Sequence, residues 1–175
     1  MNTGVTARLK ARKPTRLGKI ELLALDVDGV LTDGSLYFSG GGETFKVFHA
    51  RDGHGIKLLM GSGVEVAAIS GRRSAAVTAR MRELNVRHVV QGCSDKVAAL
   101  RKLARRLGIE PLACACMVDD TVDLPLMSAV GFAAAVADAH PLVLAAAHWV
   151  STAPGGRGAV REFTDSILRA RADAV

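Results

Sequence analysis

The chain contains few cysteines and aromatic residues, and it has no long apolar run. Its 175 residues include three cysteines, and aromatic residues make up 4% of them. An odd set of three thiols does not suit a disulfide framework, so we expect a reducing, cytoplasmic environment. No apolar run approaches the ~20 residues of a membrane span, and no apolar segment typical of a secretory signal opens the sequence. Composition therefore favours neither a disulfide-stabilised secreted module nor a membrane protein.

Basic residues are concentrated at the start of the chain. The formal net charge is +6, from 23 lysines and arginines against 17 acidic residues. Six of the basic residues lie within residues 1–19, and the remainder is balanced. We interpret residues 1–19 as a basic flexible tail and residues 20–175 as one domain. Since no aromatic residues alternate with this charge, we do not expect nucleic-acid binding.

After the tail, short apolar runs alternate with helical patterns. Strands are expected near Glu21–Leu25, Val64–Ile69, His88–Val90, Ala113–Val118 and Phe132–Ala135. Helices are expected near Gly53–Met60, Ser74–Leu84, Ser94–Leu107, Val122–Ser128, His140–Ala146 and Ala159–Ala172. Such alternation predicts an α/β fold: a Rossmann-like parallel sheet with helices on both faces. Right-handed crossovers would bring the carboxyl ends of its strands to one edge.

One segment interrupts the alternation and predicts a protruding β-hairpin over residues 35–48. Glycines at positions 40–42 separate two β-prone runs, Ser35–Phe38 and Glu43–Phe48. These runs hold four of the chain's seven aromatic residues. So much apolar surface on a hairpin leads us to expect contact with other subunits.

The most informative segment covers residues 22–34. An apolar run delivers Asp26 and Asp28, spaced i and i+2, into a loop with glycines, a threonine and a third aspartate. Ligands of open α/β sheets bind at the carboxyl ends of strands. One carboxylate there can accept a phosphoryl group, and its neighbour can act as general acid and base.

Three further polar elements follow predicted strands. Ser70 and Gly71 offer a hydroxyl and backbone N–H groups to a phosphate oxygen. Lys96 stands near the start of a helix that we expect Ser94 to open, and its charge suits a phosphate. The last element comprises Asp119, Asp120 and Asp123. Each of these polar residues alone is commonly a helix cap or a solvated side chain. Together, the carboxylates predict a Mg²⁺ site.

Several segments resemble the haloacid dehalogenase superfamily and, within it, the 3-deoxy-D-manno-octulosonate 8-phosphate (KDO 8-phosphate) phosphatases. They are Asp26–Gly34, Arg51–Ile56, Ser70–Arg72, Asp119–Met127, Val136–Pro141 and Gly155–Glu162. The resemblance implies a Mg²⁺-dependent phosphoric monoester hydrolase of lipopolysaccharide biosynthesis. One departure is Val118, which stands where that family usually has glycine.

The resemblance also implies roles for individual residues. Asp26 would be the nucleophile and Asp28 the acid and base, while Ser70 and Lys96 hold the phosphoryl oxygens. Mg²⁺ would be bound by Asp26, the backbone carbonyl of Asp28 and Asp119. Supporting roles are implied for Asp120, Asp123 and Gly71. Substrate contacts are expected for Asp28, His49, Ala50, Arg51, Asp52, Gly53, Lys57, Arg72, Arg80 and Lys96, among which arginines suit a carboxylate.

The sequence leaves little room for a cap domain over the site, so we expect a capless enzyme. The resemblance implies a homotetramer in which neighbours complete each site, with a C-terminal flap over residues 153–161. The expected partner is a small sugar-acid phosphate, with no nucleic acid and no membrane. Two alternatives stay open: a phosphatase of a nine-carbon ulosonate 9-phosphate, and a non-catalytic binding protein on the same fold.

Overall fold

A parallel six-stranded sheet lies at the centre of the molecule, whose computed structural model describes residues 15–173. Its strands are β1 (Leu22–Leu25), β4 (Glu65–Ser70), β5 (His88–Gln91), β6 (Cys114–Val118), β7 (Phe132–Ala135) and β8 (Trp149–Val150). Their order is β5-β4-β1-β6-β7-β8, and every neighbouring pair is parallel. The predicted α/β fold is therefore confirmed.

Six α-helices connect and flank the strands. They are α1 (Ala50–Gly61), α2 (Ala75–Leu84), α3 (Lys96–Leu107), α4 (Leu124–Ala129), α5 (Pro141–Ala146) and α6 (Ala159–Ala172). Contacts join α1 to α2 and α6, and they join α4 to α3 and α5. This division agrees with right-handed crossovers that place the two groups on opposite faces of the sheet. Among residues 15–173, none of the helices combines the length and the apolar character that a membrane-spanning segment needs.

The core forms because the central strands are apolar on both sides. Every residue of β1, β6 and β7 is buried, as expected of parallel strands covered on both faces. Small residues predominate in β7, whose sequence is Phe-Ala-Ala-Ala. Cys114 and Cys116 are buried strand residues, and burial raises the pKa of the Cys114 thiol to about 11. Both cysteines are therefore packing residues of the hydrophobic core.

The predicted hairpin is present as a separate antiparallel pair, β2 (Tyr37–Ser39) and β3 (Gly42–Phe45). The rings of Tyr37 and Phe45 stack with centroids 4.3 Å apart. Even so, Phe38 is 60% exposed and Phe45 51% exposed, and Leu36 and Val47 are exposed beside them. The hairpin therefore presents a connected apolar surface to solvent.

The two ends of the described chain lie close together. Residues 1–14 of the predicted tail fall outside the described residues, and a 3₁₀ helix at Leu17–Lys19 contacts α6. The predicted flap lies against the loop that follows β1 in its own chain. There, Gly156 N donates a hydrogen bond to Val30 O at 2.9 Å. A Cβ added at Gly155 would overlap the backbone oxygen of Gly29, so this glycine permits the close approach.

Asp52, expected to contact substrate, is instead fully buried between α1 and the start of α6. Its carboxylate accepts hydrogen bonds from Gly158 N at 3.2 Å and Arg161 N at 2.8 Å. Burial raises the pKa of Asp52, although these two donors oppose the shift. The residue therefore fastens the helix that precedes β4 to the C-terminal helix.

We expect Asp52→Asn to destabilise the fold, because the amide would present an N–H group to one of two backbone donors. The free energy of unfolding should fall by about 2 kcal/mol, the range for hydrogen bonds to a charged group. Urea denaturation at constant pH measures this change. Asp173→Asn is a matched control on an exposed residue at the end of α6. Equal stability of the two variants would contradict the assigned role of Asp52.

Candidate active site

Three predicted site residues meet at the carboxyl edge of the sheet. Asp26 directly follows β1, Ser70 ends β4, and Asp119 directly follows β6. Since β1 lies between β4 and β6, the three residues stand at adjacent strand ends. Asp26 N donates to Met117 O at 3.1 Å, which continues the pairing of β1 with β6 to the edge. The topology thus brings together residues far apart in sequence.

Three carboxylates form a cluster at this edge. One oxygen each from Asp26, Asp119 and Asp123 lies within 4.8 Å of the others. Asp123 is fully buried, and its Oδ1 has no hydrogen-bond partner. Lys96 Nζ is 2.9 Å from Asp26 Oδ1 and 2.9 Å from Asp123 Oδ2. One ammonium therefore faces three carboxylates, and an oxygen-seeking cation would fit the remaining charge and the unpartnered oxygen.

The electrostatics of the cluster reflect this excess of negative charge. Burial, reinforced by the charges of Asp26 and Asp123, raises the pKa of Asp119 to about 7. Burial and the Asp26 charge likewise raise the pKa of Asp123 to about 7. Burial opposes the charged form of Lys96, but attraction to Asp26 and Asp123 outweighs it and raises the pKa of the lysine. A bound cation would stabilise the ionised carboxylates.

Gly29 makes room for the cluster. Its φ of +85° lies in the left-handed region, and an added Cβ would overlap the Asp119 carboxylate. Val118, the departure from the resembled family, is fully buried and pairs with Ala135 in regular parallel register. Asp119 nevertheless belongs to the cluster. Valine at position 118 therefore leaves the predicted cation ligand in place.

Asp28 lies in a second group of charges beside the cluster. Its Oδ1 is 2.5 Å from Lys46 Nζ, and its Oδ2 is 3.9 Å from Arg72 Nε. Glu43 completes the group, with Oε2 at 3.1 Å from Lys46 Nζ and 3.7 Å from Arg72 Nη2. The two positive charges of Lys46 and Arg72 thus balance the two negative charges of Asp28 and Glu43. The side chain of Asp28 thus faces this group and not the three-carboxylate cluster.

Ser70 and Lys96 occupy the predicted positions. Ser70 is buried, and its Oγ accepts a hydrogen bond from Arg72 N at 3.1 Å. Gly71 is exposed in the turn that follows. The expected cap of α3 was wrong by one residue: Asp95 caps it, accepting from Ala98 N at 2.9 Å.

The remaining residues predicted to support the site or to contact substrate lie outside the carboxylate cluster. Asp120 is exposed and binds its own neighbour Thr121 N at 2.6 Å, outside the cluster. Arg80 pairs with Glu83 at 2.8 Å and lies over Gly53, where an added Cβ would overlap its guanidinium. His49 precedes α1, and Ala50, Arg51 and Lys57 are exposed on that helix.

Sequence reasoning missed Glu43 and Lys46. Both come from the hairpin segment, whose aromatic residues are its most conspicuous feature in the sequence. A usable signal was present, because Lys46 directly follows β3 and lies between two exposed apolar residues, Phe45 and Val47. The contact of Lys46 with Asp28, however, spans 18 residues of sequence.

Comparisons with known proteins show the family to which the chain is similar. A model of the haloacid dehalogenase-like hydrolase family matches residues 88–161. The chain is 47% identical over 156 residues to 3-deoxy-D-manno-octulosonate 8-phosphate phosphatase KdsC of Yersinia pestis, covering 89% of this chain and 83% of that protein.

Two solved structures are similar along most of their length. The cobalt-bound deoxy-D-mannose-octulosonate 8-phosphate phosphatase of Haemophilus influenzae has a TM-score of 0.88 at 41% identity, covering 90% of this chain and 92% of that chain. The Moraxella catarrhalis phosphatase, in complex with magnesium ion, phosphate ion and a KDO molecule, has a TM-score of 0.86 at 40% identity. That match covers 90% of this chain and 91% of the other.

Proposed function

This chain belongs to the 3-deoxy-D-manno-octulosonate 8-phosphate phosphatases of the haloacid dehalogenase-like hydrolases, and we propose that it hydrolyses KDO 8-phosphate to KDO and phosphate. This proposal is supported most directly by the carboxylate cluster with Lys96, which lies at the carboxyl edge of the sheet next to Asp28. In this proposal the reaction occurs in the cytoplasm and supplies free KDO for lipopolysaccharide synthesis.

Mg²⁺ is the proposed cofactor. The side-chain donors are carboxylate oxygens, which this hard cation prefers. The buried Oδ1 of Asp123 has no hydrogen-bond partner, as expected of an oxygen beside a cation site. Asp26 and Asp119 would hold the ion together with the carbonyl of Asp28, and Asp123 would support them. When bound, the ion supplies positive charge that stabilises the phosphoryl oxygens during transfer.

In the first proposed step, an Asp26 carboxylate oxygen attacks phosphorus. A bond forms between Asp26 and phosphorus while the bond from phosphorus to the sugar oxygen breaks. Asp28 gives its proton to that leaving oxygen, so the sugar departs as an alcohol. Lys96, 2.9 Å from Asp26 Oδ1, and the Ser70 hydroxyl would hold the phosphoryl oxygens.

In the second step, water attacks the phosphorus of the aspartyl-phosphate. Asp28, now ionised, accepts a proton from the water, and the bond between Asp26 and phosphorus breaks to release inorganic phosphate. The same carboxyl thus alternates between acid and base. The position of Asp28 outside the three-carboxylate cluster, with its side chain 21% exposed, supports this double use.

Recognition of the sugar-acid part of the substrate requires further positively charged side chains and contacts between subunits. Arg72, 3.9 Å from Asp28, is already beside the reacting centre. Arg51 and Lys57 are exposed on α1 and would contact the substrate carboxylate, alone or in a neighbouring subunit. The exposed apolar hairpin supports our proposal of a homotetramer, because such a surface is costly to leave in water. The segment 153–161 would cover the site of a neighbouring subunit.

Phosphate release tests the proposed function and its substrate. We expect wild-type protein with Mg²⁺ to hydrolyse KDO 8-phosphate faster than a nine-carbon ulosonate 9-phosphate, and EDTA to stop both reactions. A colorimetric phosphate assay measures the rates. Preference for the nine-carbon ester would replace the substrate assignment. Absence of release from either ester by folded protein would favour a binding protein on this fold.

The cluster also predicts how pH affects the metal-free protein. The pKa values of Asp119 and Asp123 are about 7 when folded, above their ordinary value of 3.8. The folded state therefore holds more protons than the unfolded state between these values, and its stability should fall as pH rises from about 4 to about 7. We expect Tm in EDTA to be lower at pH 8 than at pH 5.

Metal binding should reverse this trend, because cation ligands must be ionised. The rise in Tm on adding Mg²⁺ should therefore be larger at pH 8 than at pH 5. Differential scanning fluorimetry measures both effects, with Asp123→Asn as the comparison that lacks one titrating group. A Mg²⁺ effect independent of pH would contradict the cluster as the metal site.

A further inference from the structure

Lys46 is a buried cation to which the mechanism above assigns no role. Its side chain is 1% exposed, and Nζ lies 2.5 Å from Asp28 Oδ1 and 3.1 Å from Glu43 Oε2. A buried ammonium is costly unless it is paired, so these two carboxylates account for its burial. One of them belongs to the residue proposed to transfer protons.

The hairpin supplies this lysine. Lys46 directly follows β3, and its neighbours Phe45 and Val47 are 51% and 46% exposed. Alternate residues therefore point to opposite sides, with the apolar pair toward solvent and the lysine toward Asp28. The hairpin thus contributes a charge to the site as well as an apolar surface.

Glu43 attaches Lys46 to the rest of the site. Its Oε1 accepts a hydrogen bond from the Ser74 hydroxyl, and its Oε2 pairs with Lys46. Ser74 is itself fixed, because it caps α2 and its N–H donates to Gln91 Oε1 at 2.7 Å. A chain of direct contacts therefore runs from the start of α2 and the end of β5 to the ammonium that binds Asp28.

We propose that Lys46 is a positioning residue that orients the Asp28 carboxyl toward the leaving oxygen, with Glu43 holding Lys46 in place. Lys46 binds Oδ1, so Oδ2 is left to face the substrate beside Arg72. Proton transfer requires hydrogen-bond distance and a defined orientation, which a freely rotating carboxyl does not provide. This inference rests on the proposed function, in which Asp28 protonates the departing sugar oxygen.

The test compares leaving groups. A sugar or simple alkyl oxygen needs a proton to depart, whereas the nitrophenolate of p-nitrophenyl phosphate does not. Lys46→Met should lower kcat/KM for KDO 8-phosphate by at least about 100-fold, the lower range of acid catalysis. It should lower kcat/KM for p-nitrophenyl phosphate only a few-fold. Lys102→Met, on an exposed lysine of α3, is the matched control and should change neither.

Two further variants complete the experiment. Asp28→Asn should show the same dependence on the leaving group, and Glu43→Gln should show it more weakly. Tm and its rise with Mg²⁺ report whether each variant is folded. If Lys46→Met does not fold, Glu43→Gln carries the comparison. Equal losses on both esters in a folded Lys46 or Glu43 variant would overturn the inference.

The outcomes separate this inference from the proposed function. If wild-type protein hydrolyses alkyl phosphates but not KDO 8-phosphate, the substrate assignment fails and the comparison of leaving groups still decides the role of Lys46. If it hydrolyses KDO 8-phosphate and the variants lose both activities equally, the proposed function stands and Lys46 has no positioning role. If it hydrolyses no ester, both proposals are overturned.

Discussion

Asp26→Asn is expected to abolish phosphate release, with a loss of at least about 10⁴-fold in kcat, as when a nucleophile is removed from other covalent catalysts. An amide oxygen is a poor nucleophile, and the substitution also removes one charge from the proposed Mg²⁺ ligands. Because asparagine has nearly the same shape and volume as aspartate, the packing around this buried position should otherwise persist. Steady-state phosphate release with saturating Mg²⁺ measures the loss.

The control for this variant is Asp173→Asn, on an exposed aspartate at the end of α6 that lies outside the carboxylate cluster. It should retain activity within about tenfold of wild type, since surface substitutions have small effects. Asp26→Asn with turnover similar to that control would show that another group attacks phosphorus.

Lys96→Met is expected to impair both activity and stability. The side chain is 11% exposed and binds two carboxylates at 2.9 Å, so its removal leaves buried negative charge without a partner. Breaking a buried ion pair in this way costs about 3–5 kcal/mol. The loss in kcat should be about 10²–10³-fold, because a charge that stabilises the transferring phosphoryl group disappears.

Urea denaturation in EDTA measures the stability effect, and phosphate release with Mg²⁺ measures the catalytic one. Lys102→Met controls for loss of a lysine from the same helix. Added Mg²⁺ should recover part of the stability, since it would offset the same carboxylates, but not the activity. Full activity of a destabilised Lys96→Met protein would limit Lys96 to a structural role.

The sheet and its edge could be predicted because local sequence encodes them. Apolar runs such as Leu22–Leu25 are followed at once by polar residues, and this pattern marks a buried strand that ends at a site. The glycines at 40–42 likewise indicate a hairpin without reference to the rest of the fold. Parallel topology then requires Asp26, Ser70 and Asp119 to lie together.

Contacts that depend on the direction of a side chain could not be predicted from the sequence as readily as the sheet. Asp52 lies in a sequence that resembles a substrate loop, yet its carboxylate binds the start of α6, more than 100 residues away. Lys46 looks like an ordinary solvated lysine until the hairpin folds back over Asp28. Asp123 was assigned a supporting role, but its burial and unpartnered oxygen place it within the carboxylate cluster. Such features arise from tertiary packing and not from local pattern.

In the proposed mechanism, Asp26 accepts the phosphoryl group and Asp28 assists its removal. The most direct test mixes Asp28→Asn protein with p-nitrophenyl phosphate and Mg²⁺ in a rapid-quench instrument. Nitrophenolate needs no proton to leave, while hydrolysis of the aspartyl-phosphate lacks its base. We predict a burst of one nitrophenolate per active site, with the phosphoryl group located on Asp26 by peptide mass spectrometry. If the variant shows neither a burst nor a phosphorylated Asp26 while wild-type protein turns over, Asp26 is not the nucleophile.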